Sequence, residues 1–291
     1  MPVYEQGYET YAGERRPLGR RWMPLFREEI LPYFKKRRFV FLLFLAIIPW
    51  LWGISLTFLH TQLGDAAWAK DLVGKLPQVD ESLVASLLAN GYDIFLLLIV
   101  VIWVGSGLVA RDRKDRTLEV FLSRAVSPTG YLWAKASSLL AFLVIFSVVP
   151  VAVLVVFQVG LTGEVGWLWE HSRVIWGTLL YAFVGQGALT LFVLALSSLG
   201  RSPRAVGLSF IGIFFLSDVV CGILYGLTRE PSAWFISLSK QLGLLASRCL
   251  GSEPPSHLAM APHLTVLFFA LLAAGSVGIL VQRFSRRGVL R

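Results

Sequence analysis

Apolar residues gather in six long stretches along this chain, at about 39–59, 92–110, 138–158, 174–199, 206–226 and 264–282. Polar or charged segments separate them. An α-helix rises about 1.5 Å per residue, so about 20 apolar residues cross the hydrocarbon layer of a bilayer. Ser138 to Phe157, SLLAFLVIFSVVPVAVLVVF, carries no charge at all. The first stretch follows a polar leader of 38 residues. It is expected to persist as a helix rather than to be cut off as a signal peptide, whose apolar core is shorter and nearer the start. The fourth stretch is longer than the layer requires and is expected to tilt or project into water. Pro49 and Pro150 permit kinks in the first and third. The pattern predicts an all-α integral membrane protein with six transmembrane helices.

The segments between the stretches carry patterns of their own. Residues 1–20 form a polar tail, 21–38 a leader, 39–285 the membrane domain and 286–291 a basic tail. In the leader, Trp22, Phe26, Ile30, Tyr33 and Phe34 share one helical face, with Arg27, Lys35, Lys36 and Arg37 around it. Aromatics beside cations suit the headgroup zone, so an interfacial helix is expected, bent at Pro32. In the loop 111–137, Leu118, Phe121, Leu122 and Ala125 repeat at the steps of an amphipathic helix, with Glu119, Ser123 and Arg124 off that face. Asp115 or Thr117 suits its N-cap. Ser127-Pro128 then reads as a second N-cap with proline at the first helical position. A short helix lying crosswise between two spans is the expectation. Asp80 precedes a helix-like run, ESLVASLLAN. In the insert 227–263, Trp234, Leu238, Leu242 and Leu245 predict a re-entrant or surface-lying amphipathic segment, too short to span.

Charge gives the orientation. The chain has 27 Lys and Arg against 18 Asp and Glu, a net charge of +9. Of the cations, 21 lie in the tails and alternate loops 1–38, 111–137, 200–205 and 283–291, and 6 in the other three loops. By the positive-inside rule the first set is cytoplasmic. Both termini are then inside, as an even number of spans also requires. The expected location is the cell membrane. This distribution accounts for the basic balance without a nucleic-acid partner. With 56% hydrophobic and 15% charged residues, and a mean hydropathy of +0.67, the chain resembles neither a soluble domain nor a disordered one. Two cysteines, Cys221 and Cys249, cannot build a disulfide framework or a four-ligand zinc site.

Reactive chemistry is sparse. His60, His171, His257 and His263 make no HExxH pair, and no GxSxG elbow occurs. No catalytic residue or metal ligand is assigned. The Gly74-Lys75 pair has Leu76 where a P-loop needs Ser or Thr, and Ala69 where it needs Gly. The chain has no cofactor of its own to bind. Asp218 is the acidic residue well inside a span, with Ser217 or Gln186 as the expected hydrogen-bond partner. It is a candidate for a substrate path or for packing. So are Gln186, in the Gly185-Gln186-Gly187 cluster, and Gly222 and Gly226, a GxxxG pair suited to close helix contact.

The order Thr117-Leu118-Glu119, Leu122-Ser123, Ser127-Pro128 and Lys135, set between the second and third of six spans, resembles the membrane subunit of type-2 ABC transporters. The layout of residues 20–285 is similar to that family; the motif itself covers 111–135. Arg116 stands where the family usually has glycine, and Ala125 where a proline often sits. The resemblance implies a permease subunit of an ATP-driven exporter. It implies two copies of a separate P-loop ATPase, which holds ATP and Mg, and a second membrane subunit of the same or a related chain. The segment 117–126 would be the coupling helix, packed by Leu118, Phe121 and Leu122. Thr117, Ser123 and Pro128 would complete the contact region, with Glu119 and Arg124 facing the ATPase. The helix bearing Trp22, Phe26, Ile30 and Phe34 would act as its lever. Cargo would pass between two membrane chains, lined by the first, second and fifth spans, with the GxxxG face pairing them. Two other readings remain open: a gradient-driven carrier using Asp218, and a membrane anchor or assembly protein without transport.

Overall fold

Each long apolar stretch is helical, and capping side chains fix where three of the six begin. The computed structural model describes residues 22–63, 70–115, 117 and 127–284. Helix α1 covers Trp22–Phe34. The first span is a pair, α2 (Arg37–Ile47) and α3 (Trp50–Leu63), bent by 44° at a break that contains Pro49. Proline has no N–H to give the preceding turn, so the helix breaks there. After α4 (Glu81–Leu88), the second span runs through α5 (Gly91–Trp103) and α6 (Ala110–Lys114). The third is α7 (Pro128–Thr162), uninterrupted at Pro150. The fourth joins α8 (Ser172–Tyr181) to α9 (Gly187–Leu199) through a π-turn at Ala182–Gln186. The fifth is α10 (Pro203–Thr228), and the sixth is α12 (Pro262–Phe284). Between them lies α11 (Leu238–Leu250). Five helices are long and apolar enough to cross a membrane, and the bent pair makes six.

The N-termini follow the sequence signals. Asp80 accepts from the Leu83 N–H at 2.9 Å. Ser127 accepts from the Gly130 N–H at 3.1 Å with Pro128 in the first turn. Ser202 and Pro203 repeat that arrangement at α10. Such caps satisfy N–H groups left over by helix geometry. Gly163 and Gly251 end α7 and α11 in the left-handed conformation, with φ of 69° and 74°, which glycine adopts without steric cost.

Two cores hold the bundle. One joins Phe39, Val100, Leu108, Leu139, Phe142 and Val193 near the α1 end. The other joins Trp50, Leu56, Val84, Leu154, Val174 and Leu242 near the insert end. The second span is the centre: 72% of its apolar window is buried, against 28% in the fifth and 22% in the sixth. The outer faces of the fifth and sixth expose Leu208, Leu216, Ile223, Val266, Leu271 and Val281. Such a surface suits lipid rather than water.

Two features depart from the expected pattern. The second span is not one helix. It breaks at Val104 into a 3₁₀ turn, Gly105–Gly107, before α6 resumes. Gly105 permits the close approach of neighbours, since a Cβ there would lie 2.7 Å from Val193 and 3.0 Å from Leu139. The freed backbone groups find a side chain from the fourth span. The Ser197 hydroxyl accepts from the Val109 and Ala110 N–H groups, both at 3.1 Å, and donates to the Ser106 carbonyl at 3.2 Å. The insert is the second departure. Trp234 belongs to a separate 3₁₀ turn, Pro231–Ile236, and not to the helix. Ten of the 13 residues of α11 are buried, because it packs on α8 and α4. It does not lie on the surface. Pro32 sits in the last turn of α1, which ends two residues later.

Ser197→Ala strands two backbone donors in a buried site. A loss of about 1–3 kcal/mol is expected, read as a lower unfolding temperature in detergent. An unchanged transition would show that the break is held by other contacts.

Candidate functional site

The segment 116–126 connects the second and third spans, and its flanks carry the most concentrated charge interaction among the described residues. Thr117 lies in the description, and its hydroxyl donates to the Asp112 carbonyl at 3.2 Å. Leu118, Glu119, Phe121, Leu122, Ser123 and Arg124 lie outside the described residues, and with them the crosswise helix. Pro128 stands in the first turn of α7, as its spacing implied.

On the near flank, the Arg113 guanidinium donates to the Ser198 carbonyl at 2.8 Å, tying α6 to the end of α9. On the far flank, Lys135 leaves the second turn of α7. Its side chain is 4% exposed. The ammonium lies 2.7 Å from Glu29 of α1 and 3.0 Å from Asp112 of α6. The Tyr131 hydroxyl donates to the same Asp112 oxygen at 2.7 Å. One lysine therefore joins the leader helix, the end of the second span and the start of the third. Lys135 is buried, and Glu29, 106 positions earlier in the chain, is its partner. A buried ammonium persists only when such partners are in place.

Helix α1 is seated by aromatics as well. Trp22 and Phe26 meet edge to face at 6.0 Å. Ile30 packs on the core. Phe34 stacks near Phe39 and Phe142, at 4.6 and 5.8 Å. Tyr33 is buried, with its ring 5.3 Å from both Trp103 and Phe142. Burial pushes its phenol above the ordinary value, and the Arg111 guanidinium pulls in the opposite direction. The face that α1 turns to the bundle thus adds Glu29 to the expected row, which includes Tyr33.

A second feature lies at the insert end. Asp218 accepts hydrogen bonds from Ser237 and Ser239, the latter at 2.7 Å. Its expected partners do otherwise: Ser217 donates to the Phe214 carbonyl at 2.8 Å, and Gln186 donates to Ser147. Gln186 is fully buried, and its Oε1 has no partner among the described residues. Ser237 also caps α11 through the Lys240 N–H, so Asp218 fastens the fifth span to the start of the insert helix. Gly222 faces the Trp234 ring, 3.7 Å from where a Cβ would be, whereas Gly226 borders open space. Gly222 thus packs within the chain. Asp218 also lines a cavity of about 580 Å³ between the second span, the fifth span and the insert. The first span, expected to line a path with the second and fifth, does not contribute to it.

Among the described residues no group of His, Cys, Asp or Glu suits a metal ion. Five long apolar helices, with a sixth formed by a bent pair, mark a multi-pass membrane protein. The family model described as ABC-2 family transporter protein matches residues 23–233. The chain belongs to that family, whose membrane component is a permease without an ATPase motif of its own. No curated protein matches the chain.

Replacing Lys135 by Met leaves Glu29 and Asp112 without their shared cation. The expected cost is about 3–5 kcal/mol. Adding Glu29→Gln to that variant should restore part of it, as a double-mutant cycle measures. Equal unfolding temperatures for wild type and Lys135→Met would refute the junction.

The native thiols give a pH prediction. Burial pushes Cys249 up to about 11, and Cys221 is inaccessible. The thiolate is the reactive form. Maleimide labelling of the folded chain should be slow at pH 7.5 and accelerate as pH rises toward that value. Rapid labelling at neutral pH would contradict the raised value of the half-buried Cys249.

Proposed function

We propose that the chain is the transmembrane subunit of an ATP-driven exporter in the cell membrane, with both termini cytoplasmic. Two copies of a separate ATPase would bind ATP and Mg and supply the stroke. A second copy of this chain, or a related one, would complete the translocation path. Family membership supports the permease role, and favours it over a gradient-driven carrier or a passive anchor.

The observation that carries the coupling proposal is the three-way junction at Lys135. Residues 117–126 are the proposed coupling helix. A push on them reaches α6 through Thr117 and Asp112, and α7 through Ser127 and Pro128. Lys135 and Glu29 then pass it to α1. No flank of the segment can shift without disturbing a buried ion pair, so motion would be shared among three helices rather than absorbed by a slack loop. The 21 to 6 distribution of Lys and Arg supports a cytoplasmic position for this end.

Co-purification with an ATPase encoded beside this chain tests the proposal. Phe121→Asp with Leu122→Asp should abolish complex formation and any stimulation of ATP hydrolysis by the membrane subunit. Full complex formation with unchanged hydrolysis would reject the coupling assignment. Ser123→Cys should react with an impermeant maleimide in inverted vesicles and not in intact cells. The reverse pattern would overturn the orientation.

A further inference from the structure

The cavity at the insert end has the size and the two-sided chemistry of a binding site for an organic molecule. Its volume, about 580 Å³, falls within the range that encloses small ligands. Ile94, Phe95, Phe214, Phe215 and Leu244 supply apolar wall. Phe95 and Phe215 are about half exposed in the structure, at 50% and 49%, so these rings are available to a ligand. Hydroxyls of Ser82, Ser86, Ser239, Ser247 and Ser252 lie on the remaining wall with Asp218.

The charges have a sign. Two carboxylates, Asp218 and Glu253, and one ammonium, Lys240, line the space. Among the described residues Lys240 has no ion pair within 4 Å, and it stands over the Trp234 ring, 5.6 Å from its centroid. Glu253 is exposed, where water screens it. Asp218 is half-buried, and each of its oxygens accepts one serine hydroxyl. A carboxylate offers about four acceptor positions, so two hydroxyls fix its orientation and leave capacity for a further donor or cation. Aromatic faces beside a carboxylate also attract a cation through the ring quadrupole.

We infer that this cavity binds a monovalent organic cation on an apolar body, with Asp218 as the charge partner and Phe95, Phe214 and Phe215 as the apolar contact. That this ligand is cargo rests on the permease reading; the binding itself does not.

Binding of tritiated tetraphenylphosphonium to the purified full chain in dodecyl maltoside tests the inference without the ATPase. Tetraphenylborate, of the same shape and opposite charge, is the control, labelled and assayed in a separate sample because the two ions form an insoluble salt. Saturable binding of the cation is expected, with affinity for the borate weaker by about tenfold or more. Asp218→Asn should lower affinity for the cation about tenfold, the loss expected for a charged contact. Phe215→Ala should weaken it severalfold while preserving the preference for positive charge. Should Asp218→Asn fail to fold, Lys240→Gln decides: removing the wall's one cation should raise affinity.

Displacement by sphingosine, a lipid with one ammonium and no phosphate, would identify the occupant as a lipid cation, and failure of that lipid to compete would identify a free organic cation. Either source fits the site. Absence of saturable binding, equal affinity for separately assayed tetraphenylborate, wild-type affinity in Asp218→Asn, or unimproved affinity in Lys240→Gln would overturn the inference. Loss of ATPase docking alone would overturn the permease coupling and leave this result standing.

Discussion

A lysine buried beside two carboxylates sets the architecture at one end of this bundle. Taking an ammonium out of water costs several kcal/mol unless compensating charge is close. Lys135 meets that demand with groups from two other helices, Glu29 and Asp112. The requirement constrains the whole neighbourhood. Helix α1 must lie against α7, α6 must turn its acidic residue inward, and Tyr131 must present its hydroxyl to the same oxygen. The aromatic contacts of Tyr33 and Phe34 with Phe142 then follow the same seating.

The second span depends on a complementary device. A helix through an apolar bundle ordinarily satisfies its own backbone. At Gly105 to Val109 this one does not, and Ser197 from the fourth span fills the gap. Small side chains at the break let Val193 and Leu139 approach. The 3₁₀ turn therefore trades local hydrogen bonds for close packing with two neighbours. Because it directly precedes α6, it also sets the angle at which Asp112 reaches the lysine.

Much of this was legible from hydropathy alone. The six apolar stretches, the capped starts at Asp80 and Ser127, and the break at Pro49 each rest on local chemistry that a sequence displays. The partners of polar residues were not legible in the same way. Glu29 and Lys135 are 106 positions apart, and no periodicity links them. Asp218 was expected to pair with Ser217 or Gln186, but its partners lie across a turn in the insert. Residues 104–107 did carry a signal, in Val104-Gly105-Ser106-Gly107, where two glycines close together weaken a helix. A uniformly apolar background masked it. The buried helix of the insert was half legible: its apolar steps were visible, but being covered on nearly every side depends on α8 and α4.

Two glycines in the fourth span give the insert end an asymmetry. At Gly177 a side chain would strike the Cys249 carbonyl at 2.6 Å, and at Gly185 it would strike Leu245 at 2.8 Å. Backbone and side chain of α11 are thus pressed onto the fourth span without a spacer, and neither can slide without a clash. The fifth span touches the same insert through hydroxyls and a tryptophan ring, contacts that can be remade in water. The insert is thus held to the fourth span by close packing and to the fifth by polar contacts, two attachments of different chemistry.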